Sequence, residues 1–162
     1  MAHKAIGYFE KERQAVEALL AQVPEERWAA VRREDGWTAV EILGHMAAAT
    51  DGLAQVARYT LEHGRPSFKE PFDIDRFNEG HHRRHAGLSL AEIRAEWEAA
   101  AGRVADFLSS LSPEQWQHPA STPWGLGQTV EDVMLAATYH LRSHRLELEA
   151  LLRPKESGDA HH

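Results

Sequence analysis

The stretch TVEDVMLAATYHLRSHRLELEALL, residues 129–152, decides the fold. Thr129 is a helix cap, and Val133, Ala137, His140, His144, Leu148 and Leu151 recur behind it at helical spacing. Such a stripe faces a core. Two of its members are histidines one turn apart. A core-facing imidazole pair is either hydrogen-bonded for structure or half of a metal site.

The same pattern recurs toward the N-terminus. Ile6, Phe9, Val16, Leu19 and Leu20 mark a helix over 4–22, and VPEERW after it reads as a short turn. Thr38 and Glu41 have capping-box spacing ahead of Ile42, His45, Ala49, Leu53 and Val56, and Gly64 ends that helix. GRPSFKEPF (64–72) is a loop, with Pro66 and Pro71 interrupting any regular element. DIDRFNEGHHRRHAG (73–87) holds one or two helical turns, which Asp75 could cap. Ser89 and Glu92 form a second capping box before Leu90, Ile93, Trp97, Val104, Phe107 and Leu111. Ser112 caps a short restart with Pro113 at its first position, and HPASTPWGLGQ is a second long loop. Four long helices without a convincing strand pattern predict an all-α four-helix bundle over residues 1–154. The tail 155–162 is expected to be disordered, and its terminal His161 and His162 are left out of the reading.

Composition narrows the function classes. The 162 residues suit one domain, with 43% hydrophobic and 27% charged residues as in soluble globular proteins. A net charge of −7 argues against a nucleic-acid footprint. No apolar run approaches the ~20 residues of a membrane span, and the N-terminus lacks signal-peptide order, so a cytoplasmic location is expected. The chain has no cysteine, which removes thiolate ligands and cysteine nucleophiles. Any thiol chemistry would use a thiol from outside.

That leaves the eleven histidines. Chance alone gives about 0.7 pairs at i,i+4 spacing, so spacing by itself is weak. His81 and His85 sit among Glu79, His82, Arg83 and Arg84, which predicts exposure and no ligation by His81, His82 or His85. His140 and His144 share an apolar stripe, and His45 lies among Ile42, Ala48, Ala49 and Leu53 on another. A divalent ion would satisfy one nitrogen of each. Three separate core histidines, each bonded to a backbone carbonyl, are the alternative. HLRSH is not a zincin motif, because Leu141 stands where the general-base glutamate belongs.

GWTAVEILGHMA (36–47) and YHLRSHRLELEALL (139–152) resemble the second-helix and last-helix signatures of the DinB/YfiT-like superfamily. Between them, DIDRFNE (73–79) and LSLAEIRAEWEAAAGRVADFLSSLSPEQW (88–116) are similar to its middle section. The resemblance implies an up-down-down-up bundle with a three-histidine site for a divalent metal, zinc or nickel, on His45, His140 and His144. It further implies Asp75 and Asn78 as substrate contacts or supports for the site. Characterised members include transferases and maleylpyruvate isomerases that use mycothiol or bacillithiol, and a hydrolase-like branch.

A metal-dependent transfer of a low-molecular-weight thiol to an electrophilic small molecule is therefore expected. A metal-dependent hydrolase and a non-catalytic metal-binding protein are the alternatives. Arg83, Arg84 and Arg142 could supply a cationic mouth for the thiol, and Glu41 could orient His45 from one turn away. Trp37 and Trp124 are expected at the bundle ends, and Tyr139 away from the metal. Five tryptophans exceed what one small core requires, which suggests a homodimer.

Overall fold

Hydroxyl side chains start most of the helices. Thr38 accepts from the Glu41 amide at 3.1 Å while the Glu41 carboxylate accepts from the Thr38 amide at 2.8 Å. Ser89 with Glu92, Ser112 with Gln115 and Thr129 with Asp132 repeat this box. Each box satisfies amide donors that the first turn of a helix leaves without partners. The computed structural model describes residues 3–66 and 73–153. Among them run α1 (Lys4–Gln22), α2 (Glu25–Ala30), α3 (Ala39–His63), α4 (Ile74–His85), α5 (Leu90–Ser110), α6 (Pro113–Trp116) and α7 (Val130–Leu152). Gly64 ends α3 in the left-handed region at φ 72°, as a C-terminal glycine should. The only β pairing among the described residues is two isolated bridges, Arg32 with Thr38 and Pro119 with Thr129. The fold is all-α.

The long helices α1, α3, α5 and α7 enclose one core. α3 packs on α5 and α7, and α1 packs on the same two. Trp28, Trp97, Ile42, Leu43, Met46, Leu108, Leu141 and Leu148 are fully buried between them. Polar contacts between helices set their relative directions. His3, which caps α1, and Glu12 within it meet Glu131 and Arg145 of α7 at 2.6 and 2.8 Å, so these two helices run in the same sense. Arg33, just ahead of α3, reaches Glu147, while His45 further along meets His140. α3 and α7 therefore run oppositely, which brings the middle of each to the same level.

Several local expectations need correction. VPEERW continues into the six-residue helix α2, whose Trp28 is buried in the core. The segment after residue 73 forms twelve residues of helix rather than one or two turns. Its cap is Asp73, which accepts from the Arg76 amide at 3.0 Å, not Asp75. No helix among the described residues is long and apolar enough to cross a membrane. The expectations for the tail 155–162 and for most of the loop at 64–72 lie outside the described residues.

Candidate metal centre

His45 is 5% exposed near the middle of the bundle, one turn beyond the capping box of α3. His140 and His144 project from α7 opposite it. The ring centroids are 5.1 Å apart for His45 and His140, 5.0 Å for His45 and His144, and 4.5 Å for His140 and His144. One ring nitrogen of each lies within 4.8 Å of the other two, the geometry of a group that could hold a metal ion. The structure thus brings together the three residues that the apolar stripes singled out.

The electrostatics suit ligation. Burial, then the neighbouring imidazoles, push His45 down to about 3 and His140 down to about 4, from an ordinary 6.5. Both rings are therefore neutral near pH 7, the form that offers a lone pair to a metal. The buried Nδ1 atoms of His45 and His140 have no hydrogen-bond partner. Core imidazoles bonded to backbone carbonyls would have one, so the purely structural alternative fails for these two.

His144 is held differently. Its Nδ1 lies 3.1 Å from Glu147 Oε1, which leaves Nε2 as its free nitrogen. The same carboxylate oxygen accepts from Arg33 Nη1 at 2.9 Å. Arg33 in turn makes a two-pronged pair with Asp35, at 3.0 and 2.7 Å. A carboxylate behind a histidine fixes its tautomer and ring plane and makes it a better ligand. The sequence reading missed Glu147, although its i,i+3 spacing from His144 puts it on the same helix face. Arg33 and Asp35 carry no such local signal.

The HHRRH segment contradicts the expected exposure. His85 is 1% exposed and packs its ring on Gly44, where an added Cβ would lie 2.8 Å from His85 Cγ. Its Nδ1 bonds His81 O at 2.8 Å, and its Nε2 lies 3.0 Å from Glu96 Oε2, although not aligned as a hydrogen bond. His82 stacks on Trp37 at 4.3 Å and lies 3.3 Å from Glu41 Oε1. The reason is tertiary: these rings dock α4 onto α3. A glycine in the interior of α3 was the available signal, since close approach is a common reason to keep one there. His81 is half-buried with its ring 5.8 Å from that of His45. None of His81, His82 and His85 belongs to the converging group.

The supporting residues divide. Glu41 holds His82 and the Thr38 amide rather than His45. Burial raises its carboxyl pKa, but the Thr38 amide and His82 outweigh that and hold it below the usual range. Trp37 meets the His45 ring edge-on at 5.8 Å and carries Arg33 over its face at 4.9 Å. Beside the histidines lies a cavity of about 560 Å³, lined by His45, His140 and Asn78 among others. Asp75 and Arg142 are exposed and do not line it, and neither do Arg83 and Arg84. Arg84 instead faces Glu96 at 3.4 Å. None of the three arginines forms a cationic mouth to the cavity. Trp124 lines the cavity, while Tyr139 points to solvent.

The family model of the DinB superfamily matches residues 8–148. The chain belongs to the DinB superfamily. A crystal structure of a Streptococcus pneumoniae protein, solved by the Northeast Structural Genomics Consortium, is similar at a TM-score of 0.61 and 17% identity. The match covers 92% of this chain and 90% of that one, and at this identity it speaks to the fold alone. None of the curated proteins matches the chain.

Proposed function

We propose that this DinB-superfamily protein is a divalent-metal-dependent enzyme that joins a low-molecular-weight thiol to an electrophilic small molecule. The carrying observation is the convergence of His45, His140 and His144 beside a cavity lined by no carboxylate among the described residues. When bound, a divalent ion such as zinc or nickel lowers the pKa of a coordinated thiol or water. His45, His140 and the free Nε2 of His144 would hold it, and Glu147 keeps that nitrogen turned inward.

The choice between nucleophiles follows from acidity. A free thiol has a pKa of about 8.5 and water about 15.7, so of the two the thiol gives up its proton more readily at a bound ion. The chain has no cysteine, so the thiol is a cosubstrate of the mycothiol or bacillithiol type. The S–H proton leaves to solvent, the sulfur pair forms the new bond to the electrophilic carbon, and the leaving group departs from that carbon with the electron pair of the broken bond. A cytoplasmic location suits this chemistry, because thiols are kept reduced there.

The test is metal analysis of protein purified without a histidine tag, then thiol consumption with a panel of electrophiles. Turnover that requires both metal and thiol is expected. Turnover in water alone selects the hydrolase, and stoichiometric metal without any turnover selects a non-catalytic role.

A further inference from the structure

We infer that Trp124 selects ligands that carry a flat unsaturated ring, which stacks on its indole in the cavity beside the three histidines. This names the class of the electrophile and rests on reading the metal centre as a reaction site.

The cavity, of about 560 Å³, lies in the size range of small-molecule sites and has His45, His140 and Trp124 in its lining. Three of the large apolar side chains left exposed among the described residues line it, Ile74 at 41%, Phe77 at 38% and Trp124 at 39%. Apolar surface collected at one concave place marks a binding site, because a ligand that covers it removes it from water. Two of these side chains are aromatic and come from separate segments, Phe77 from α4 and Trp124 from the loop before α7. The Phe77 ring packs on that of His81, one turn along α4, at 4.1 Å.

The backbone fixes Trp124. Thr122, Pro123, Trp124 and Gly125 form a turn, closed by the Gly125 amide donating to Thr122 O at 3.0 Å. No non-glycine residue among the described ones has a positive φ, so the turn is not type II. Proline at its second position and glycine at its fourth suit type I. Thr122 is fully buried, its amide donating to Leu126 O at 2.9 Å and its hydroxyl accepting from the Leu126 amide at 3.0 Å. Further along, the Ala120 amide donates to Gln128 O and the Val130 amide to His118 O, which ties the loop to the start of the helix that carries His140. The indole is therefore exposed on a firmly bonded support. A wall fixed beforehand costs little to order when a ligand arrives. Offset stacking on an indole face adds to the burial of area, and only a flat ring can make it.

Naphthalene-2-carboxamide and decahydronaphthalene-2-carboxamide share a head group and a fused-ring frame, one flat and one puckered. Area burial alone favours the saturated compound, which has the larger apolar surface, so tighter binding of the flat one reads stacking. Calorimetric titration of the full chain should show the flat probe binding at least about threefold tighter. Trp124→Leu keeps apolar bulk without a flat face, and Trp124→Ala removes both. Each should keep its Tm and lose the preference. Equal binding of the two probes, tighter binding of the saturated one, no saturable binding of either, or a preference that survives in either folded variant overturns the inference. A flat-ring preference without thiol turnover leaves the ring site standing and removes the transferase. Thiol turnover with equal binding of the two probes does the reverse.

Discussion

His144 is the ligand candidate with a carboxylate behind it, and that carboxylate is itself fixed by Arg33. Glu147→Gln keeps the size of the side chain and removes its charge, so the ring faces a neutral amide in place of a carboxylate while the helix stays intact. Metal affinity should fall roughly 10–100-fold, the usual cost of losing such a partner, read by competition with a chelating dye. Wild-type affinity would mean that Glu147 serves only Arg33. The depressed values of His45 and His140, about 3 and 4, also carry a sign. Between these values and the ordinary 6.5 of an unfolded chain, the unfolded state binds more protons, so stability rises with pH. For metal-free protein the contribution is complete above about pH 6.5 and is lost as pH falls toward 4. Chelated protein should lose on the order of a few kcal/mol between pH 7 and pH 5, measured by denaturant unfolding. A flat profile would place both rings in a more polar setting than the bundle interior.

At the level of elements, α4 depends on a hollow in α3. A Cβ on Gly44 would stand 2.8 Å from His85 Cγ and 2.9 Å from Cδ2, both ring atoms of a buried side chain. Gly44→Ala should therefore cost roughly 1–3 kcal/mol of overpacking, partly offset by about 1 kcal/mol of helix propensity. Amide exchange in α4 should rise more than in α5. The same substitution in a His85→Ala background should instead stabilise, since only the propensity gain remains. An equal effect of Gly44→Ala in both backgrounds would show that the two positions are not coupled. Loss of α4 also uncovers Trp37 and the edge of His45, so metal release should quicken in the single variant.

For the molecule as a whole, the ion and the core contribute separately. The buried apolar side chains of α1, α3, α5 and α7 form one continuous cluster. Chelation should lower Tm only by the binding linkage and leave a folded helical protein, as circular dichroism would record. Unfolding on chelation would make the metal a structural element. The expected homodimer has lost part of its support. Trp28, Trp97 and Trp116 are buried within one copy, and the exposed Trp124 belongs to the cavity. What still favours a second copy is the exposure of Tyr8, Tyr139 and Leu146 on α1 and α7. Light scattering should give about twice 18.2 kDa, and a mass near 18.2 kDa would refute the pairing.

The sequence alone determined the helices and the inward faces. Thr38, Ser89, Ser112 and Thr129 satisfy the amides of their own first turns, and apolar residues at helical spacing define a stripe without reference to any other segment. His45, His140 and His144 were legible for the same reason, since each sits in such a stripe. Those are local properties, carried by residues a few positions apart. Tertiary structure alone decided that the three rings meet, that Glu147 and Arg33 stand behind one of them, and that the cavity beside them is apolar. It also buried His85, which its polar neighbours had marked for solvent. Burial and pairing between distant segments depend on which faces come together. His85 reaches its place because Gly44, 41 positions earlier, leaves space for an imidazole ring.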